Sequence, residues 1–303
     1  MSCLIKAQQL NKFFGSNHAL CDVDFEIERG GPVALVGPNG AGKTTLFSIL
    51  CGYLKPSSGS VTVFGAQPAS HKNLSRLSAL PQDAQLDPRF AIAQQLTFYA
   101  QLQGFSKREA HIEAERTLEL VGLSEVLKEK PGSLSHGMRK RVTIAQALIG
   151  APEIVMLDEA TAGLDPKHAR EVRELVASLS TDITFILSSH DLSELERLCD
   201  QVLYLEQGHL QEHQSLNAED NLNFFTLRME QQQPDLIAAL SSLKQVNSVI
   251  NSQDKEYQIS VQTLSGEQPV DIEILKLCYQ NKWRYRQLIN GRTLENQLFN
   301  DND

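Results

Sequence analysis

The chain has 303 residues, a formal net charge of −9 and an apolar fraction of 41%, so it has room for one large or two moderate domains with sizeable cores. The acidic balance excludes a global basic field of the kind that draws in nucleic acid, and no apolar run is long enough to span a bilayer. Five cysteines, at positions 3, 21, 51, 199 and 278, are odd in number and lack metal-ligand spacing, which predicts a reducing compartment with the thiols as small apolar side chains.

The opening MSCLIKAQQLNKFF lacks the apolar stretch of a signal peptide. In CDVDFEIERG, Val23, Phe25 and Ile27 point one way while Asp22, Asp24, Glu26 and Glu28 point the other. That alternation predicts a half-buried, antiparallel strand. PVALVG, EIVMLDE and ITFILSSH are short continuous apolar runs, the pattern of strands buried on both faces. Between the last two, PKHAREVRELVASLS sets Val172, Leu175, Val176 and Leu179 on one helical face. Buried strands alternating with helices predict a parallel α/β sheet.

Residues 91–149 interrupt that alternation. AIAQQLTFYAQLQG, REAHIEAERTLELVG and RKRVTIAQALIG all read as helices with no buried strand among them, so an inserted helical subdomain is expected. After about residue 211 the composition shifts toward Gln, Asn and Ser, yet apolar periodicity continues. NFFTLRME reads as a strand, PDLIAALSSLK as a helix, VNSVINSQDKEYQISVQ as a hairpin, DIEILKLCYQN as a helix and WRYRQLI as a strand. The sum is a small β-α-β-β-α-β domain, closed by a last helical turn at TLENQLF.

Four segments carry chemistry. GPNGAGKTT is Gly37, Pro38, Asn39, Gly40, Ala41, Gly42, Lys43, Thr44 and Thr45, and it fits the P-loop. Glycines let backbone N–H groups crowd around an anion, and the following helix starts with its positive dipole end toward the phosphates. Lys43 would reach the β- and γ-phosphates, and the Thr44 hydroxyl would ligate Mg²⁺. IVMLDE ends a buried strand in two carboxylates, Asp158 and Glu159; beside a P-loop these suit a Mg²⁺ ligand and a base for water. SSHDLSEL places His190 at the carboxyl end of another strand, the edge where open α/β sheets bind ligands. Asp191 and Glu194 suit a capping box there and leave His190 unexplained. In LPQD, Gln82 follows a short strand and precedes the helical insertion.

In chain order, the P-loop, Gln82, LSHGM, IVMLDEATAGLD and His190 resemble the nucleotide-binding subunit of an ATP-binding-cassette (ABC) transporter. The resemblance covers roughly residues 4–210 and is specific, because P-loop kinases and GTPases lack the signature segment after a helical insertion. It implies an α/β P-loop NTPase fold: a parallel-sheet core, an N-terminal antiparallel β subdomain and a helical subdomain at about 88–150. The cassette would span 1–213, and a small C-terminal α+β accessory domain 218–303.

The same resemblance implies two cassettes, identical copies or paralogues, pairing head to tail with ATP between them. Ser135 and the Gly137 N–H would bind the γ-phosphate of the ATP held by the opposite P-loop. His136 stands where the family writes glycine, and Met138 where it writes glutamine. The histidine limits backbone freedom and the methionine removes an amide that could hydrogen-bond the nucleotide; neither removes a hydrolytic group. Phe14 matches the aromatic that stacks on adenine, although adjacent Phe13 competes for the role and a phenylalanine here also suits the core. Gln82 would join Asp158 and Thr44 around Mg²⁺ and sense the permease. Asp165 would contact the opposite cassette, cap the helix that Pro166 begins, or do both. His190 would bind the γ-phosphate and orient water.

The implied reaction is ATP hydrolysis, with Glu159 as base, Lys43 offsetting charge, and Gln82 and His190 beside the water. LSHGMRKRVTIAQAL and TLENQLF also resemble an exporter branch whose integral-membrane permease is a separate polypeptide, which would hold this chain at the cytoplasmic face of the membrane. A soluble ABC ATPase acting on nucleic acid or ribosomes is the alternative. The single cassette, acidic charge and absence of a heptad insertion disfavour it, so no nucleic-acid partner is expected.

Overall fold

A computed structural model describes residues 3–189, 195, 198, 199, 201–214, 224–262 and 269–291. His190, the box at Asp191 and Glu194, and TLENQLF lie outside the described residues. Residues 1–213 and 214–303 form two compact units, each taken by itself.

The first unit begins with two long strands, β1 (Cys3–Phe14) and β2 (Asn17–Glu28), joined by the two-residue Gly15–Ser16 turn. β3 (Val33–Val36) follows, then α1 (Lys43–Leu50), β4 (Ser58–Val63) and β5 (Leu77–Leu80). The antiparallel sheet β2-β1-β4 buries Val23, Phe25 and Ile27 and exposes Asp22, Asp24, Glu26 and Glu28, as the alternation requires. The insertion is helical throughout: α2 (Ile92–Leu102), α3 (Lys107–Leu120) and α4 (His136–Ala147), with single 3-10 turns between the last two. A capping box starts α3: Ser106 accepts from the Glu109 N–H, and Glu109 accepts from the Ser106 N–H.

After the insertion come β6 (Ile154–Asp158), α5 (Pro166–Leu179), β7 (Thr184–Ser189), β8 (Gln201–Glu206) and β9 (His209–Gln214). The core sheet has the order β5-β6-β7-β3-β8-β9. Its pairs from β5 to β8 are all parallel. The residues of β3 are entirely buried, as are those of β6 before Asp158, so a continuous apolar run was the right signal for a central strand. On α5, Ala169, Val172 and Val176 are buried. The β8–β9 turn at Gln207 and Gly208 has positive φ at both residues (47° and 82°), the geometry of a tight hairpin. Gly208 accepts from the Cys21 N–H at 2.8 Å and donates to Ala41 O at 3.1 Å, so this hairpin braces the segment before α1.

The second unit runs β10 (Phe224–Met229), α6 (Leu236–Ser241), β11 (Val246–Gln253), β12 (Glu256–Val261), α7 (Val270–Gln280) and β13 (Tyr285–Asn290). Its sheet, ordered β11-β12-β10-β13, is antiparallel. It has its own core around Leu227, Tyr257, Ile259, Leu236, Leu240 and Ile274.

Candidate functional site

α1 starts at Lys43 because Gly42 can serve as its N-cap at φ 112°, a backbone state that favours glycine. A Cβ on Gly42 would stand 2.6 Å from Ala19 O. Lys43 Nζ folds back and donates to Gly37 O at 2.5 Å and Pro38 O at 3.1 Å. Burial pushes its ammonium below the ordinary lysine value, while Glu159 and Asp158 pull the other way.

The end of β6 brings two carboxylates to this loop. Asp158 accepts from the Ser188 hydroxyl. The Glu159 N–H donates to Ser188 Oγ at 3.0 Å and Ser188 O at 3.2 Å. Glu159 is 8% exposed and holds φ 49°, a conformation that costs a non-glycine residue about 1 to 3 kcal/mol and recurs at functional sites. Asp158, Glu159, Lys43, Thr44, Thr45 and Gln82 line one cavity of about 240 Å³. Asn39, Gly40, Gly42 and Phe14 form more of its wall. Phe13 instead stacks on His18, ring centres 3.9 Å apart and planes 13° apart, so Phe14 is the ring that serves the cavity.

Gly37, Pro38 and Ala41 belong to the same loop without lining the cavity. Asn17 and Ala19 line it beside Phe14, and both were missed from sequence. The signal was available in the two-residue hairpin, which sets Asn17 opposite Phe14.

The signature segment is elsewhere. Ser135 caps α4, its hydroxyl accepting from the Met138 N–H at 3.2 Å. His136 occupies the first helical position and is absent from the positive-φ residues, so this backbone needs no glycine there. Gly137 is different: a Cβ would overlap the ring of His168 on α5. That imidazole is in turn held by Asp165, Nδ1 to Oδ2 at 2.5 Å. Asp165 Oδ1 accepts from the N–H groups of Lys167 and His168 at 3.0 and 3.1 Å. Capping of α5 is therefore realised within the chain. None of Ser135, Gly137 and Asp165 lines the 240 Å³ cavity.

A second cavity, about 460 Å³, lies beside the first. Gln82 lines both; His136, Arg139 and Lys140 line the second with Leu86 and Pro88. Burial pushes the Lys140 ammonium down, opposed by the Asp158 and Glu159 carboxylates. Arg141 points away, toward Glu171 on α5 at 3.6 Å.

A phosphate-cradling loop opening a helix, two strand-end acids beside it and a helical insertion ahead of those acids define an ATP-binding cassette of the P-loop NTPase class. The ABC transporter family profile matches residues 20–162. The bacitracin transport ATP-binding protein BcrA of Bacillus licheniformis is 36% identical over 216 residues, 70% of each chain. The Nod factor export ATP-binding protein I of Burkholderia lata is 34% identical over 207 residues, 67% of this chain and 68% of that one. Among solved structures, cbiO1 from Clostridium perfringens, part of the ABC transporter complex cbiONQ, superposes with a TM-score of 0.63 at 29% identity, covering 70% of this chain and 88% of that one. The chain belongs to the ABC transporter family as an ATP-binding subunit, and it is an ATPase of the kind that couples hydrolysis to transport. No helix among the described residues is long and apolar enough to cross a membrane.

Proposed function

We propose that the chain powers export through a separate integral-membrane permease, working at the cytoplasmic face of the membrane, with the 240 Å³ cavity as its Mg·ATP site. The observation that carries this reading is the convergence of Lys43, Thr44, Gln82, Asp158, Glu159 and Phe14 on that one cavity, while Ser135 and Gly137 stand outside it. Such a site is half of a pair. The signature of a second cassette supplies the missing γ-phosphate ligands, so ATP bridges two protomers. Relatives named for Nod factor export and bacitracin transport support the direction and the coupling.

The Thr44 hydroxyl, Asp158 carboxylate and Gln82 amide oxygen are hard oxygen donors of the type that Mg²⁺ takes, and they share the cavity. Held by these three side chains, Mg²⁺ would offset negative charge on the nucleotide's phosphates. Lys43 exchanges the Gly37 and Pro38 carbonyls for phosphate oxygens. Glu159 takes a proton from water as its oxygen attacks the γ-phosphorus; the bond from that phosphorus to the β–γ bridging oxygen breaks, and ADP leaves with the electron pair. His190 orients the water. Gln82, shared by both cavities, links a permease segment seated in the larger one to the nucleotide.

Glu159→Gln tests this. The variant is expected to bind Mg·ATP, lose at least about a hundredfold in turnover and accumulate as a dimer by sedimentation, whereas Lys43→Ala stays monomeric with ATP. Unchanged turnover in Glu159→Gln would remove Glu159 from the chemistry, and a monomer at saturating ATP would end the shared-site reading.

A further inference from the structure

We propose that Asn17 reads the edge of the nucleobase and makes the cavity prefer adenine over guanine and hypoxanthine. The inference rests on the cavity being the nucleotide site and adds a specificity-determining residue to it.

The geometry comes from the β1–β2 hairpin. Its two-residue turn, with Gly15 at φ 59°, sets Phe14 and Asn17 as direct cross-strand partners, with Phe13 and His18 as the next pair. Directly opposed residues of an antiparallel pair point to the same face with Cβ atoms about 5 Å apart. Phe13 and His18 accordingly stack on each other on one face, and Phe14 and Asn17 both line the cavity on the other. Lys12, whose Nζ donates to Lys55 O at 2.8 Å, sits 5.1 Å from the centre of the Phe14 ring. That tethered cation covers one ring face and steadies the platform.

A base stacked on Phe14 presents its edge to the neighbouring side chain. Among the described residues the Asn17 amide is bonded to no other group, and it presents an NH₂ donor group and an acceptor oxygen side by side. Adenine offers a matching acceptor and donor, N7 and the N6 amino group, which an asparagine amide can pair at once. Guanine and hypoxanthine offer two acceptors, O6 and N7, so the asparagine oxygen would face a carbonyl oxygen. Ala19, which lines the cavity from the same strand as Asn17, has no polar side-chain atom with which to compensate.

The test is calorimetric titration of the full chain with Mg·ATP, Mg·GTP and Mg·ITP. The wild-type chain is expected to bind ATP about tenfold tighter than GTP or ITP. Asn17→Ala should bring the three within about twofold of one another, by weakening ATP alone. Lys43→Ala should weaken all three equally. A preference for ATP that survives in Asn17→Ala, or a wild-type chain that does not discriminate, overturns the proposal and leaves the cavity's assignment standing. A wild-type chain that binds none of the three, or Lys43→Ala without effect, overturns that assignment and the proposal with it.

Discussion

At the scale of single residues, the loop ahead of α1 was legible because its pattern is set by spacing along the chain. Gly42 caps α1, and Lys43 and Thr44 open that helix and line the same cavity. The choice between Phe13 and Phe14 was not legible from the pair itself, since neighbouring strand residues face opposite ways and only the partner strand says which is which. Asn17 was missed for the same reason. Cys21, Cys199 and Cys278 are buried and Cys51 is half-buried, as small apolar side chains would be, whereas Cys3 is exposed; Cys51 makes the reading testable. Burial pushes its thiol from 9.0 up to about 12, so the folded state favours the protonated form. Cys51 should resist iodoacetamide at pH 8 until denaturant opens the fold, as read by mass spectrometry. A raised thiol value leaves stability intact below about 9 and erodes it as pH climbs from 9 toward 12. Denaturant midpoints should fall across that window, and fall less in Cys51→Ala.

Among elements, the buried strands β3, β6 and β7 and the helices of the insertion were plain from periodicity. β1 was not. Its register shifts between Ala7 and Leu10 and again before Lys12, and Gln9 holds φ 47°. These bulges break the two-residue alternation on which a strand is recognised. Equally hidden was the contact between α4 and α5. Gly137 was explained by approach to a phosphate, yet His168 lies against it inside the same chain. Alanine is the better helix former by roughly 1 kcal/mol, but here its methyl must displace a ring fixed by Asp165, an overpacking that costs about 1 to 3 kcal/mol. Gly137→Ala should therefore lower the thermal midpoint of the wild-type chain and raise that of His168→Ala. Equal effects in the two backgrounds, measured by calorimetry, would show that the ring does not govern this position.

For the whole molecule, two separate cores imply two separable stabilities. The first gathers Ile5, Leu10, Leu35, Ile49, Met156 and Ile186; the second gathers Leu227, Tyr257, Ile259 and Ile274. Thermal unfolding is expected in two steps. Mg·ATP at about 100 times its Kd should stabilise one of them by about 2.7 kcal/mol and leave the other in place. A chain cut after residue 214 should keep the responsive step and bind ATP within about twofold of the full chain. A single transition moved as a unit by ATP would contradict this. The change in composition near residue 211 falls close to the boundary between the two units at residues 213 and 214.

The strand that carries the P-loop lies between β7 and β8, and the bond to Ala41 comes from Gly208. On the ribosome this means that the binding loop is translated early and completed late. With 160 residues out, the nascent chain already has the glycines, the lysine and both acids, while β3 lacks either of its neighbours. Such distant pairing is slow to form and leaves an apolar strand exposed meanwhile. Affinity for ATP should thus emerge abruptly in stalled chains once residue 208 clears the exit tunnel, long after the motif itself has been synthesised.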